Sequence, residues 1–193
     1  MSRKNSTLKV TGIPKGCVLD VAKLLHAVVE GAEATTVADG AGNMPDWAQK
    51  DEMVLWGNHD QRERSYGPAC QLITLTLPEG VGVEQGEALV RTFAKEELGT
   101  KPFAYAIRAV DADNASPTQA VLLVSGRVQD GIYRDAEHFF RRYRNSLPAF
   151  SGCQKDSQGR VRGSVSDPEL TRLQNWKRMC VSAGNMNARQ KAQ

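Results

Sequence analysis

The chain has 193 residues, which suits one domain with a sizeable core. Hydrophobic residues make up 40% and charged residues 24%, an ordinary balance for a globular protein that excludes long disorder and collagen-like architectures. Net charge is only +3, but it is unevenly spread: residues 141–193 carry 11 Lys/Arg against 3 Asp/Glu, whereas residues 1–140 carry 14 against 19. A basic C-terminal quarter of this kind can meet a polyanion. No apolar run is long enough for a membrane helix. The polar stretch Met1–Lys9 lacks the apolar centre of a signal peptide, so the expectation is the cytoplasm. Cys17, Cys70, Cys153 and Cys180 form no C-x-x-C motif and are expected as free thiols.

In chain order, Leu8–Thr11 reads as a strand closed by Gly12 and Pro14. Val18, Val21, Ala22, Leu25, Val28 and Val29 recur at helical spacing and stop near Gly31. Ala32–Gly67 is polar, with Gly, Asn and Pro throughout, and reads as a long surface excursion. Cys70–Leu77 alternates and is rich in β-formers, so it predicts a strand ended by Pro78. Val83–Leu98 predicts an amphipathic helix with Gly99 as its stop. Phe103–Val110 and Gln119–Val128 predict two more strands, separated by a turn-rich loop at Asp111–Thr118. Ala136, Phe139, Phe140 and Tyr143 fit one face of a short helix. Residues 145–166 read as a Ser/Gly/basic loop, and Asp167-Pro168 as the start of a last helix. The expectation is α+β: a largely antiparallel, about five-stranded sheet with helices on one face, forming a single domain over 1–184 with a flexible tail at 185–193.

The three histidines, His26, His59 and His138, show no H-x-H or H-x-x-x-H spacing. His59 with Asp60 and Glu63, or Asp111 with Asp113, could offer oxygen-rich ligands, although solvated acidic loops look the same. No G-x-S-x-G elbow, P-loop or G-x-G-x-x-G occurs. Tyr66, Tyr105, Tyr133 and Tyr143 have no evident activating partner and suit packing roles. Arg141, Arg142 and Arg144 crowd around Tyr143, and Lys155, Arg160 and Arg162 follow in a Gly/Ser loop. Guanidinium groups match phosphate geometry, and an interleaved aromatic can stack on an unpaired base.

Several ordered segments carry a family resemblance. They are Gly42-Asn43-Met44-Pro45-Asp46-Trp47, Leu75-Thr76-Leu77-Pro78, Tyr105-Ala106-Ile107, Ser125-Gly126-Arg127, Asp130-Gly131-Ile132 with Arg134, Phe139-Phe140-Arg141-Arg142-Tyr143, Pro148, Gly152, Gln154-Lys155 and, at the end, Trp176 with Asn185. In this order and spacing they resemble the MobA/MobL family of plasmid-mobilisation relaxases. The resemblance implies a five-stranded antiparallel sheet and binding to a DNA hairpin with its adjacent single strand. It also implies a tyrosine that attacks the scissile phosphate and three histidines that hold a divalent metal, Mn or Mg.

The chain departs from the family at that chemistry. Arg108 stands at the first metal-histidine position, Gln119 and Val121 stand in place of the H-x-H pair, and His26 stands at the nucleophilic tyrosine position. Thr74 occupies a position where the family often has an acidic residue. The resemblance therefore implies a relaxase-like, DNA-binding protein without nicking activity and without a metal cofactor, an accessory or regulatory factor in plasmid or integrative-element transfer. Its expected DNA contacts are Arg127, Arg134, Arg141, Arg142, Arg144, Lys155, Arg160 and Arg162. Expected partners are DNA (hairpin, single-stranded or duplex), a relaxase or other transfer protein, or a second copy of the chain, and not a membrane. Two alternatives stand beside this: an active relaxase with ligands such as His59, Asp60 or Asp111, and a protein-interaction module of the transfer machinery.

Overall fold

A computed structural model describes residues 7–27, 35–64, 67–109, 117–156 and 172–182. Five strands, β1 (Leu8–Ile13), β2 (Thr35–Gly42), β3 (Cys70–Thr76), β4 (Phe103–Ala109) and β5 (Pro117–Ser125), form one sheet in the order β1-β3-β5-β4-β2. Every neighbouring pair is antiparallel. The two longest-buried strands, β4 and β5, lie at its centre, as their continuous apolar runs Phe103–Ile107 and Ala120–Val124 demand. A small ribbon of β6 (Arg127–Val128) and β7 (Gln154–Lys155) stands apart.

Alternation along the central strands sends side chains to two separate cores. Ile73, Leu75, Tyr105, Ile107, Leu122 and Val124 point to one face, where α3 (Val83–Phe93), its π-helical continuation Ala94–Leu98 and a last helix, α5 (172–182), cover them. Trp176 of α5 is fully buried there, edge-on to Phe93, and donates to the Thr76 carbonyl at 3.2 Å. Ala104, Ala106, Val121 and Leu123 point to the opposite face, under α1 (Val18–His26), α2 (Met53–Arg62) and the one-turn α4 (Ala136–Phe139). The α+β class and the five-stranded antiparallel sheet agree with the sequence reading. The helices, expected on one face, cover both, because the central strands are apolar on both sides and each side needs a lid.

The expected excursion at 32–67 is instead structured over most of its length, with β2, a 3-10 turn at Asp46–Ala48 and α2 inside it. The expected helix through Tyr143 stops at Phe139. Residues 111–116, Asp167 and the tail from 185 lie outside the described residues. Among the described residues no helix is long and apolar enough to cross a membrane. All four cysteines are free thiols, and Cys17 alone is exposed.

Candidate functional site

The strand register brings together the three positions that the resemblance assigns to the metal ligands. Arg108 of β4 pairs with Gln119 of β5, and Gln119 pairs onward with Thr76 of β3. One step inward, Ala106 pairs with Val121, and Val121 with Thr74. Val121 lies in the core under α1, so Arg108, Gln119 and Val121 share that face at one end of the sheet. The C-terminal end of α1 reaches the same place, and an Arg108 Nη donates to the Leu24 carbonyl at 3.3 Å.

His26 closes α1 there, held between two carboxylates. Its Nδ1 lies 2.6 Å from an Asp39 carboxylate oxygen on β2. Its Nε2 lies 2.5 Å from a Glu52 carboxylate oxygen just before α2. Burial pushes the Glu52 carboxyl above its ordinary pKa, and His26 pulls it partly back. The family's metal does not fit this arrangement. Val121 has no lone pair, a guanidinium repels a cation, and Gln119 offers one neutral oxygen. Among the described residues no group of three His, Cys, Asp or Glu side chains converges to hold an ion.

His59, Asp60 and Glu63, offered above as other ligands, are dispersed into separate duties. Asp60 caps α1 from a distance: its carboxylate accepts the backbone N–H groups of Gly16, Val18 and Leu19 at 2.7, 3.0 and 2.8 Å. Cys17, at the cap position itself, supplies no such bond. His59 is fully buried against Trp56 and Phe140, with Nε2 3.0 Å from the Ser125 hydroxyl. Burial lowers its pKa to about 3, so it is a neutral imidazole. Glu63 meets Arg127, and Asp111 lies outside the described residues.

The basic residues divide into two groups. Arg127 is 4% exposed and every guanidinium N–H is used. It donates to both Glu63 carboxylate oxygens and to the carbonyls of Phe140, Arg141 and Cys153. Burial pushes the Glu63 carboxyl up, but the Arg127 hydrogen bonds and charge outweigh it and hold it below the ordinary range. Arg134 is 6% exposed and equally committed, to both Asp130 oxygens and to the carbonyls of Ile132, Pro148 and Ser151. Both were expected as DNA contacts. The structure makes them internal braces instead, with no N–H left for a phosphate.

What they brace is the other group. Arg141, Arg142 and Arg144 are exposed on the loop after α4. Arg141 pairs with Glu137 and contacts His138, whereas Arg142 and Arg144 form no ion pair with any described residue. Lys155 is half-buried, donates to the Pro68 carbonyl and lies 3.6 Å from Glu63. Arg160 and Arg162 lie outside the described residues. Sequence reasoning missed Glu63 and Asp60 as partners, because each acts on a residue more than 40 positions away.

No family model matches the chain. Two curated relatives do. It is 32% identical to a 43 kDa relaxation protein of Salmonella typhimurium over 139 residues, covering 70% of this chain and 38% of that protein. It is 30% identical to Mobilization protein A of Escherichia coli over 115 residues, covering 60% of this chain and 16% of that protein. The chain thus spans well under half the length of these relatives. In fold it matches a solved structure from work on the molecular basis of vancomycin resistance transfer in Staphylococcus aureus, with a TM-score of 0.61 over 94% of this chain and 93% of that one, at 15% identity. The MobA/MobL resemblance read from the sequence is met by relatives of that kind: the chain is a homologue of relaxation and mobilisation proteins.

Proposed function

We propose that this protein acts in plasmid or integrative-element mobilisation as a relaxase-fold, DNA-binding accessory or regulatory factor that does not nick DNA. One observation carries the reading. Arg108, Gln119 and Val121, at the positions the resemblance assigns to the family's metal ligands, share one sheet face and offer a cation no imidazole or carboxylate. Lewis-acid help to a scissile phosphate has no ligand set there. The nucleophile position supports the same conclusion, since His26 is tied between Asp39 and Glu52. The Arg141–Arg144 loop, with Lys155, supplies phosphate-matching charge. The relatives named for relaxation and mobilisation set the context.

Two assays test this. A supercoiled plasmid carrying the element's transfer origin, incubated with Mn²⁺ or Mg²⁺, is expected to stay supercoiled; metal-dependent nicking would overturn the reading. Gel shifts with hairpin, single-stranded and duplex DNA are expected to show binding that weakens as salt rises.

A further inference from the structure

Exposed large apolar side chains are concentrated in one place. Of the seven among the described residues, four lie between positions 132 and 150: Ile132, Tyr133, Leu147 and Phe150, with Tyr133 at 71% exposure and Phe150 at 80%. They stand on two loops that Arg134 holds together. Its guanidinium donates to the Ile132 carbonyl on one loop, and to the Pro148 and Ser151 carbonyls that bracket Phe150 on the other. Gly152 fixes the second loop against Arg141, where a Cβ would fall 1.9 Å from the Arg141 carbonyl oxygen. The two aromatic rings are therefore displayed in water on a rigid base, with the side-chain charges of Arg142 and Arg144 on the intervening chain. A cleft of about 340 Å³, within the size range of ligand sites, opens beside Tyr133. Asn43, Asp46 and Gln129 line it with polar groups and Phe139 with a ring.

We propose that Tyr133 and Phe150 form a stacking platform for an unpaired nucleic-acid strand, with one base entering the cleft beside Tyr133 and the backbone following Arg142 and Arg144. Exposed aromatics cost free energy in water unless something covers them. The guanidiniums of Arg142 and Arg144, which form no ion pair with a described residue, lie on the chain between the two rings and favour a polyanion with exposed flat faces, which is a single strand. Gln119 and Ser125 lie at opposite ends of β5, roughly 20 Å apart, and the cleft beside Tyr133 is lined by Asn43, Thr100 and Gln129, which adjoin the Ser125 end. The strand is thus gripped away from the family's reacting centre. The inference rests on the DNA-binding reading above and assigns it a ligand form and a site.

The test uses the full chain and a fluorescein-labelled oligo-dT of about fifteen nucleotides, beside a blunt duplex of equal length. Tyr133→Ala with Phe150→Ala is expected to weaken oligo-dT binding ~10- to 100-fold and to leave duplex binding within about twofold. Phe150→Trp keeps a stacking face and is expected to retain affinity. Arg142→Ala with Arg144→Ala is expected to weaken both ligands and to lower the salt slope by about two. Equal melting temperatures for all variants show that the fold is intact, since these side chains are exposed. If wild-type protein binds oligo-dT and the aromatic double variant binds it equally well, the platform is wrong while the DNA-binding reading survives. If wild-type protein binds neither ligand, both fail. A wild-type protein that ignores DNA but dimerises through Tyr133 and Phe150 makes the patch a protein interface and also overturns the proposal.

Discussion

Glu63 and Arg127 form a two-pronged ion pair 64 residues apart in sequence, with Nε–Oε2 and Nη2–Oε1 both at 2.9 Å and side chains 1% and 4% exposed. The guanidinium then gathers three carbonyls from the segments carrying Phe140, Arg141 and Cys153. A residue chosen by type as a DNA contact is thus the joint between α2, the ribbon β6–β7 and the basic loop. Arg127→Ala would strip the buried Glu63 carboxylate of its two guanidinium hydrogen bonds, leaving the more distant Lys155 ammonium at 3.6 Å, and would take the donor from three carbonyls. The expected loss is about 3–5 kcal/mol in urea unfolding. Arg127→Lys cannot reproduce the planar fork and is expected to recover only a minor part. A loss below ~1 kcal/mol for Arg127→Ala would show that the joint is not structural.

Acid sensitivity is expected from His59. Its folded pKa, about 3, lies below the ordinary value of 6.5 because the ring is buried. The unfolded chain therefore binds a proton more readily than the folded one. The stabilisation is complete above pH 6.5 and is lost progressively as pH falls toward 3, amounting to about 2 kcal/mol at pH 5. His59→Gln keeps a partner for the Ser125 hydroxyl but does not titrate. Unfolding measured between pH 5 and 7 is expected to show a smaller pH slope in that variant. An identical slope would assign the acid response to other groups.

Gly152→Ala is the most direct way to disturb the basic loop from beneath. The added methyl would meet the Arg141 backbone at 1.9 Å from O and 2.5 Å from C, which no side-chain rotation relieves. A destabilisation exceeding about 1 kcal/mol is expected, together with weaker DNA binding at constant ionic strength. Gly126→Ala is the control, because its Cβ would meet the flexible Lys155 side chain at 3.4 Å and the Ala69 carbonyl oxygen at an ordinary van der Waals distance of 3.8 Å. Equal effects from the two substitutions would count against a specific Gly152–Arg141 contact.

Sequence patterns expose the parts of this fold that local chemistry decides. β3, β4 and β5 are legible because β-branched and aromatic residues alternate or run continuously. β2, Thr-Thr-Val-Ala-Asp-Gly-Ala-Gly, is not legible, since Gly and Asp disfavour strands. It forms because Gly40 and Gly42 let the Tyr105 and Phe103 rings of β4 lie across it, where a Cβ would fall 2.9 and 2.5 Å from them. α2 is polar and holds Gly57, yet Leu55, Trp56 and His59 bury one stripe of it. The helical spacing through Tyr143 misleads because the chain leaves the helix after Phe139, and the Phe140 and Arg141 carbonyls turn to Arg127. At the candidate site, the resemblance singles out Arg108, Gln119 and Val121, and the strand register sets these three on one face. The division of arginines into braces and exposed cations was not legible, because it depends on acids and carbonyls distant in sequence.

The proposed loss of the metal site can be tested by rebuilding it. Arg108 and Gln119 are cross-strand partners, so their Cβ atoms lie about 5 Å apart, and Val121 is two residues along β5 on the same face, roughly 7 Å from Gln119. Three imidazoles at those positions can reach one ion with ordinary metal–nitrogen lengths of about 2 Å. Arg108→His also removes the cation that would repel the metal. The combined Arg108→His, Gln119→His, Val121→His variant is expected to bind Mn²⁺ at least about tenfold more tightly than the unaltered chain in calorimetric titration. Binding is expected to fall below about pH 6.5 as the ligands protonate. Strand cleavage is not expected from this graft, because the position that the resemblance assigns to the nucleophile still holds His26, in contact with Asp39 and Glu52. If the graft gains no affinity, the three positions do not converge. If the unaltered chain already binds Mn²⁺ as tightly and nicks DNA, the chemistry survives on ligands other than these three.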